Sequence, residues 1–318
     1  MTHARRFLTG VATPLRAVAL ALALLLAASV PAAAASRPAS QPGLSTEWPG
    51  HYLLSLGDSL AFGYQSARVD AELRAGTYSP DHFPGYVVPL AEQLRQLTGE
   101  PRTVVNYGCP GETTTSMVAG PCGYAVSVHQ EGYPRALHDD YAGSQLAAAV
   151  AFLRSHRGEV SPITVSIGAN DLNNLFNSCS RDVTCVQQGL PATLATLAAN
   201  LGVTLDALRA QAPQAQIIVL TPYNPAYVIN PATDALVTVT NAVIAAVTRA
   251  GQARVGDGFA AINQAIPGQE LASVCTFTLM CPVTPGSSPD IHPSDAGYLR
   301  LADAFLTASD RVTGRRAA

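Results

Sequence analysis

Ser59 lies in Gly57-Asp58-Ser59-Leu60, directly after the apolar run from Tyr52 to Leu56, and His292 lies in Asp290-Ile291-His292-Pro293 near the far end of the chain. An alcohol is a weak nucleophile until a base takes its proton, so a serine in such a turn needs a histidine within hydrogen-bond reach. Two more short segments, Asn106-Tyr107-Gly108 and Gly168-Ala169-Asn170-Asp171, also follow strand-like runs. They offer a backbone amide at Gly108 and a side-chain amide at Asn170. With the amide of Ser59, these are donors suited to the negative charge that grows on a carbonyl oxygen under attack. Each segment alone reads as an ordinary turn. Together they supply the parts of an acyl-transfer site.

Among the seven histidines, His3 goes with the N-terminal signal segment described below, and His51, His82, His129, His138 and His156 fall in loop or helix-surface contexts. Only His292 lies in a turn that leads into a terminal helix, where a fixed loop can hold the ring. The third member of a triad is open at this point. Asp290, two residues before the histidine, can reach the ring, or the carbonyl of Pro289 can orient it. A carbonyl fixes the tautomer but brings no full charge to an imidazolium.

Composition removes other classes of chemistry. The 19 basic residues are all Arg, so a Schiff-base lysine, a Ser-Lys dyad and a P-loop lysine are excluded. Arg5, Arg6 and Arg16 precede an uncharged stretch from Ala17 to Val30, and Ala33-Ala34-Ala35 offers a small-residue cleavage site. Residues 1–35 therefore read as a secretory signal, too short in its apolar part for a bilayer span of about 20 residues. Without them, 16 basic residues face 22 acidic ones, a net charge of −6 that attracts no nucleic acid. Residues 36–50 are rich in Ser, Pro and Gly and read as a flexible leader, with one domain from 51 to 318.

Six cysteines in an exported chain are expected to pair, and they fall in three close couples: Cys109/Cys122, Cys179/Cys185 and Cys275/Cys281. Sequential pairing is the expected connectivity. No Cys-x-x-Cys or His-Glu-x-x-His spacing occurs, so no metal is expected.

The elements that must hold these residues alternate. Strand-like runs span Tyr52 to Leu56, Thr103 to Asn106, Ile163 to Ile167, Ile217 to Leu220 and, more weakly, Ala253 to Val255. Leu190, Leu194, Leu197, Leu201, Leu205 and Leu208 recur every three or four residues and mark one helix face. A second helix is predicted from Pro231 through Thr248, and a third is capped by Ser294 and buries Tyr298, Leu301, Ala302 and Phe305. Alternation of this kind predicts a three-layer α/β/α sandwich on a mostly parallel sheet, with the ligand site beyond the carboxyl ends of the strands. Ser66 to Phe83 and Gly120 to Tyr141 show no clear period and read as long loops beside a substrate cleft.

The four segments resemble the GDSL esterase/lipase family, also called SGNH hydrolases after the Ser, Gly, Asn and His of their four blocks. The similarity runs from about residue 52 to 307. It implies a flavodoxin-like α/β/α fold with a five-stranded sheet and hydrolysis of carboxylic esters without a metal or cofactor. It makes Ser59 the nucleophile, Gly108 and Asn170 the oxyanion donors and His292 the general base. The family's usual spacing puts the supporting acid where Pro289 stands, so the resemblance leaves Asp290, the expected acid, and the Pro289 carbonyl both open. The surroundings resemble secreted bacterial members with several disulfides. The expectation is a secreted monomeric serine esterase or lipase acting on a small-molecule or lipid ester. The alternatives are an acyltransferase or carbohydrate O-deacetylase using the same site, and a secreted binding protein that has lost catalysis.

Overall fold

In the computed structural model, five runs rich in Leu, Ile and Val form one parallel sheet in the order β2-β1-β3-β4-β5. The residues described are 50–126, 135–281 and 288–309. The expected signal segment 1–35 and the leader up to residue 49 lie outside the described residues, as does His129. The first half of the chain contains β1 (Tyr52–Gly57), α1 (Ser59–Phe62), α2 (Ser66–Ala75), α3 (Val87–Thr98), β2 (Thr103–Asn106), α4 (Thr114–Ala119), α5 (Gln145–Ser155) and β3 (Val160–Ser166). The second half contains α6 (Ala169–Ser178), α7 (Val183–Gln211), β4 (Ile217–Leu220), α8 (Asp234–Ala250), β5 (Arg254–Gly256), α9 (Glu270–Phe277), β6 (Thr278–Leu279), β7 (Asp290–Pro293) and α10 (Asp295–Thr307).

Successive side chains of a strand point to opposite faces, and β1 shows the division. Leu54 and Leu56 join one core with Ile163 and Val165 of β3, the leucine face of α7, Ile244 of α8 and Leu146, Ala149 and Leu153 of α5. Leu53 joins the other with Leu90 and Leu94 of α3 and Tyr298, Leu301 and Phe305 of α10. Strands β3 and β4 are buried along their whole length, as expected of a parallel sheet covered on both sides. The predicted three-layer architecture is the one observed, and its strand order is that of the flavodoxin-like doubly wound sheets. Among the described residues, Pro231–Ala250 is long and apolar enough to cross a membrane. Here it packs on the sheet through Ile244 and Val247.

Two expectations need correction. Ser66 to Phe83 is not a loop throughout, because Ser66–Ala75 is a helix whose buried residues are Val69 and Leu73, an i, i+4 pair with polar residues around it. In Gly120 to Tyr141 a short helix spans Gly123–Val126, and residues 127–134 lie outside the described residues. The histidine turn is also more regular than expected, since Asp290–Pro293 pairs antiparallel with Thr278–Leu279. The six cysteines pair sequentially, as Cys109–Cys122, Cys179–Cys185 and Cys275–Cys281.

Candidate active site

Strand register brings the carboxyl ends of the central strands level. Gly57 pairs with Ser166, Ser55 with Asn106, and Ser166 with Leu220, so the segments that follow all emerge on one rim. At the end of β1 only glycine fits: Gly57 has φ of 141°, and a Cβ there would run into the carbonyl of Ser166. Buried Gln145 fastens this end, accepting from Gly57 N–H at 2.7 Å and donating to the carbonyls of Gly57 (2.9 Å) and Tyr107 (2.8 Å). Asp58 then caps α1 by accepting from Leu60 N–H at 2.9 Å, which makes Ser59 the first helical residue. A first-turn amide has no acceptor inside its own helix, so the N–H of Ser59 is open to a ligand.

His292 is brought to the same rim by β7. Its Nδ1 is 2.5 Å from Asp290 Oδ1, and Asp290 also accepts from Ser66 N–H at 2.8 Å and from His292 N–H at 3.1 Å. Of the two groups the sequence left open, the Asp290 carboxyl is the one that meets Nδ1. Burial alone would raise the Asp290 carboxyl, but the bond and charge of His292 and the two amides outweigh it and hold the group at about 2. As a carboxylate it accepts from Nδ1–H, which leaves Nε2 as the basic nitrogen. Further clamps fix the strand. Tyr223 Oη donates to the carbonyl of Ile291 at 2.5 Å, and Gln65 donates to that of Pro293 at 3.1 Å. The Tyr64 ring lies 4.9 Å from the imidazole.

The turn after β2 places its glycines differently from the sequence reading. Gly108 is buried, its N–H donates to Asn106 Oδ1 at 2.9 Å, and a Cβ on it would stand 2.5 Å from Phe62 N. Its amide is committed to holding the turn against α1, where Asn106 also donates to the carbonyl of Ala61 at 2.8 Å. Three residues on, Gly111 is exposed with φ of 85°, and its N–H has no acceptor among the described residues. Asn170, in the first turn of α6, donates to the neighbouring carbonyl of Glu112 at 2.9 Å and so ties this turn to the cavity that Asn170 lines. Asn106 and Gly111 were missed because sequence does not show which amides are already engaged.

Behind the rim lie three buried acids. Burial raises Asp58 and Glu112 to about 7 each, and raises Asp171 in the same direction against its bonds from Thr114 N–H and Oγ1. Both carboxyl oxygens of Glu112 are buried without a hydrogen-bond partner. Glu112, Cys109 and Cys122 offer ligand atoms within 4.8 Å of one another. The two sulfurs are bonded to each other, so they are not thiolates free to take a metal.

Ser59, Asn170 and His292 line one cavity of about 160 Å³. Residues 55–300 match the GDSL-like lipase/acylhydrolase family, and the chain belongs to it. It is accordingly a carboxylic ester hydrolase. Similar solved structures include the lipase Lip_vut3 from a goat rumen metagenome, at 17% identity and a TM-score of 0.53 over 81% of this chain and 97% of that one. A mutant of Axe2, an acetyl-xylooligosaccharide esterase from Geobacillus stearothermophilus, aligns at 18% identity and 0.51 over 83% and 95%. At these identities the likeness speaks for the fold. No curated protein matches the sequence.

Proposed function

We propose that the chain is an exported serine hydrolase that cleaves carboxylic esters through an acyl-enzyme. One observation carries this reading: Asp290 holds His292 by Nδ1 while His292 and Ser59 line the same cavity. As Ser59 Oγ attacks the ester carbonyl, His292 Nε2 takes its proton and then gives it to the departing alcohol. Water activated by the same nitrogen attacks the acyl-enzyme, releasing the acid and restoring Ser59. Asp290 stays ionised throughout and stabilises the imidazolium formed in both steps.

The tetrahedral oxygen is received by the N–H of Ser59, the side-chain amide of Asn170 and the N–H of Gly111. Gly108 supports this set by anchoring the turn, since its own N–H is engaged. Three disulfides, with no free cysteine among the described residues, support export to an oxidising compartment together with the N-terminal apolar segment. The test is labelling of the folded protein by a serine-reactive phosphonate, followed by peptide mapping. Label is expected on Ser59 and absent in Ser59→Ala. A folded wild-type protein that takes no label would revive the inactive binding protein.

A further inference from the structure

Strand β1 and the chain leaving β2 separate at a single rung of their ladder. In a parallel pair every second residue of a strand bonds the same neighbour through both its N–H and its carbonyl. Tyr107 N–H donates to the carbonyl of Ser55 at 2.9 Å, and Cys109 N–H to that of Gly57 at 3.0 Å. The rung between these two would run from Gly57 N–H to the carbonyl of Tyr107. The side-chain amide of Gln145 takes it over, its Oε1 accepting from Gly57 N–H at 2.7 Å and its Nε2 donating to the Tyr107 carbonyl at 2.8 Å. Two hydrogen bonds and the width of an amide thus stand where one bond would be. They space the end that leads to Ser59 from the turn that leads to Gly111.

The spacer is itself rigid. Gln145 is fully buried in the first turn of α5, which Leu146, Ala149 and Leu153 pack into the core, and Ser144 caps that helix by accepting from Ala147 N–H at 3.2 Å. Phe176 and Met280 line the catalytic cavity together with Ser59, Asn170 and His292, whereas Gln145, Gly57 and Tyr107 do not. Gln145 can therefore act on the reaction only through the two turns it spaces.

We propose that Gln145 is a positioning residue of the hydrolysis, an amide inserted as a rung to set the distance between the nucleophile and the Gly111 donor. This rests on the roles given above to Ser59 and Gly111. A misplacement of about 1 Å at a reacting centre can cost on the order of 10² in rate, so a spacer outside the cavity can still govern turnover.

The experiment uses two variants. In Gln145→Glu the neutral carboxyl can still accept from Gly57 N–H with one oxygen and donate to the Tyr107 carbonyl with its hydroxyl, which rebuilds the bridge. The carboxylate has only acceptors and opposes that carbonyl. Facing position 145 are Tyr107, Tyr141 with its hydroxyl 3.4 Å from Nε2, Asp58 beside Gly57, Glu112 acting on Tyr141, and Asp139, which accepts from Asn106 N–H. None of these brings a positive charge, and α4, packed on α5, carries no charged residue. Burial therefore raises the introduced acid above its ordinary value of about 4.3. The ratio of its kcat to that of the wild type should lie within about threefold of one near pH 5.5 and fall roughly tenfold or more by about pH 9. The need for unprotonated His292 is common to both proteins and cancels in the ratio. Gln145→Met, of similar length but without the amide, should lose roughly 10- to 10²-fold in kcat at every pH, with KM changed by less than about twofold. Circular dichroism checks the fold and phosphonate titration counts active sites, so that lost stability is not read as lost turnover. Either variant alone decides the point if the other does not fold. A ratio for Gln145→Glu that stays flat with pH, or a folded Gln145→Met with wild-type kcat and only a lowered Tm, would overturn the proposal and leave Gln145 a structural brace. Failure of the underlying assignment looks different: the phosphonate does not label Ser59 in the wild type.

Discussion

Asp290 and Glu112 are carboxylic acids near the same rim of the sheet, and their surroundings drive them in opposite directions. Asp290 faces an imidazole and accepts two backbone amides, which hold it at about 2 although it is buried. Glu112 is buried with neither oxygen partnered and is pushed up to about 7. Burial raises both; the supply of donors decides the outcome. The end of the rim that carries His292 is thus held by charge, while the turn that carries Gly111 is held by Asn170 and the Cys109–Cys122 bridge.

The largest effect should come from the residue that both ends of the rim serve. Ser59→Ala should leave a folded protein without turnover, and activity near wild type would remove Ser59 from the mechanism. Next comes the charged end, where Asp290→Asn should keep the fold yet lower kcat by up to about 10⁴, the cost of neutralising a triad acid. A variant retaining most of its turnover at neutral pH would show that the Asp290–His292 bond only positions the ring. At the other end, Asn170→Ala should lower kcat by roughly 10²–10³ with a smaller change in KM. A change confined to KM would make Asn170 a ground-state binding group.

The smallest effect sharpens the contrast between the two acids and is read as stability against pH. Glu112 has its ordinary value of 4.5 in the unfolded chain and about 7 in the folded one. Between those values the native state binds more protons, so stability falls as pH rises through the window and is level above it. Asp290 has the opposite sign: its contribution is present above its ordinary 3.8 and is lost as pH falls towards 2. Urea unfolding of Glu112→Gln should therefore show a shallower decline between about pH 4.5 and 7 and a gain over wild type at pH 8. Asp58 keeps part of the slope, because it is raised in the same way. An unchanged slope would mean that Glu112 is ionised and solvated.

The strands and the long amphipathic helix were legible because their signals are local. The buried leucines of α7 are the six that the period of three to four picked out. Helix α2 was obscured because it buries only Val69 and Leu73 among polar neighbours. β7 was hidden for another reason, since its partner Thr278–Leu279 is not its neighbour in sequence and pairings this short carry no period. Residue type and spacing singled out Ser59, Asn170 and His292, which line one cavity, and left Asp290 open beside the Pro289 carbonyl until the contact with Nδ1 was seen. That the Gly108 amide is already engaged was not readable, because it depends on Asn106 folding back to claim it. A glutamate in a polar turn such as Gly111-Glu112-Thr113 likewise gives no sign that folding will bury it.

The three disulfides have a consequence beyond their contribution to stability. Each joins segments outside the sheet: Cys109–Cys122 at the turn carrying Gly111, Cys179–Cys185 just past the helix carrying Phe176, and Cys275–Cys281 around Met280. None of them links two strands of the five-stranded sheet, whose layers are assembled by apolar contact. A chain with reduced thiols should therefore build its sandwich and remain catalytically silent, with the oxidant completing the rim afterwards. Circular dichroism and turnover followed together during reoxidation would show the first signal complete while the second is still rising. That order of signals would make disulfide formation the last step in assembling the rim.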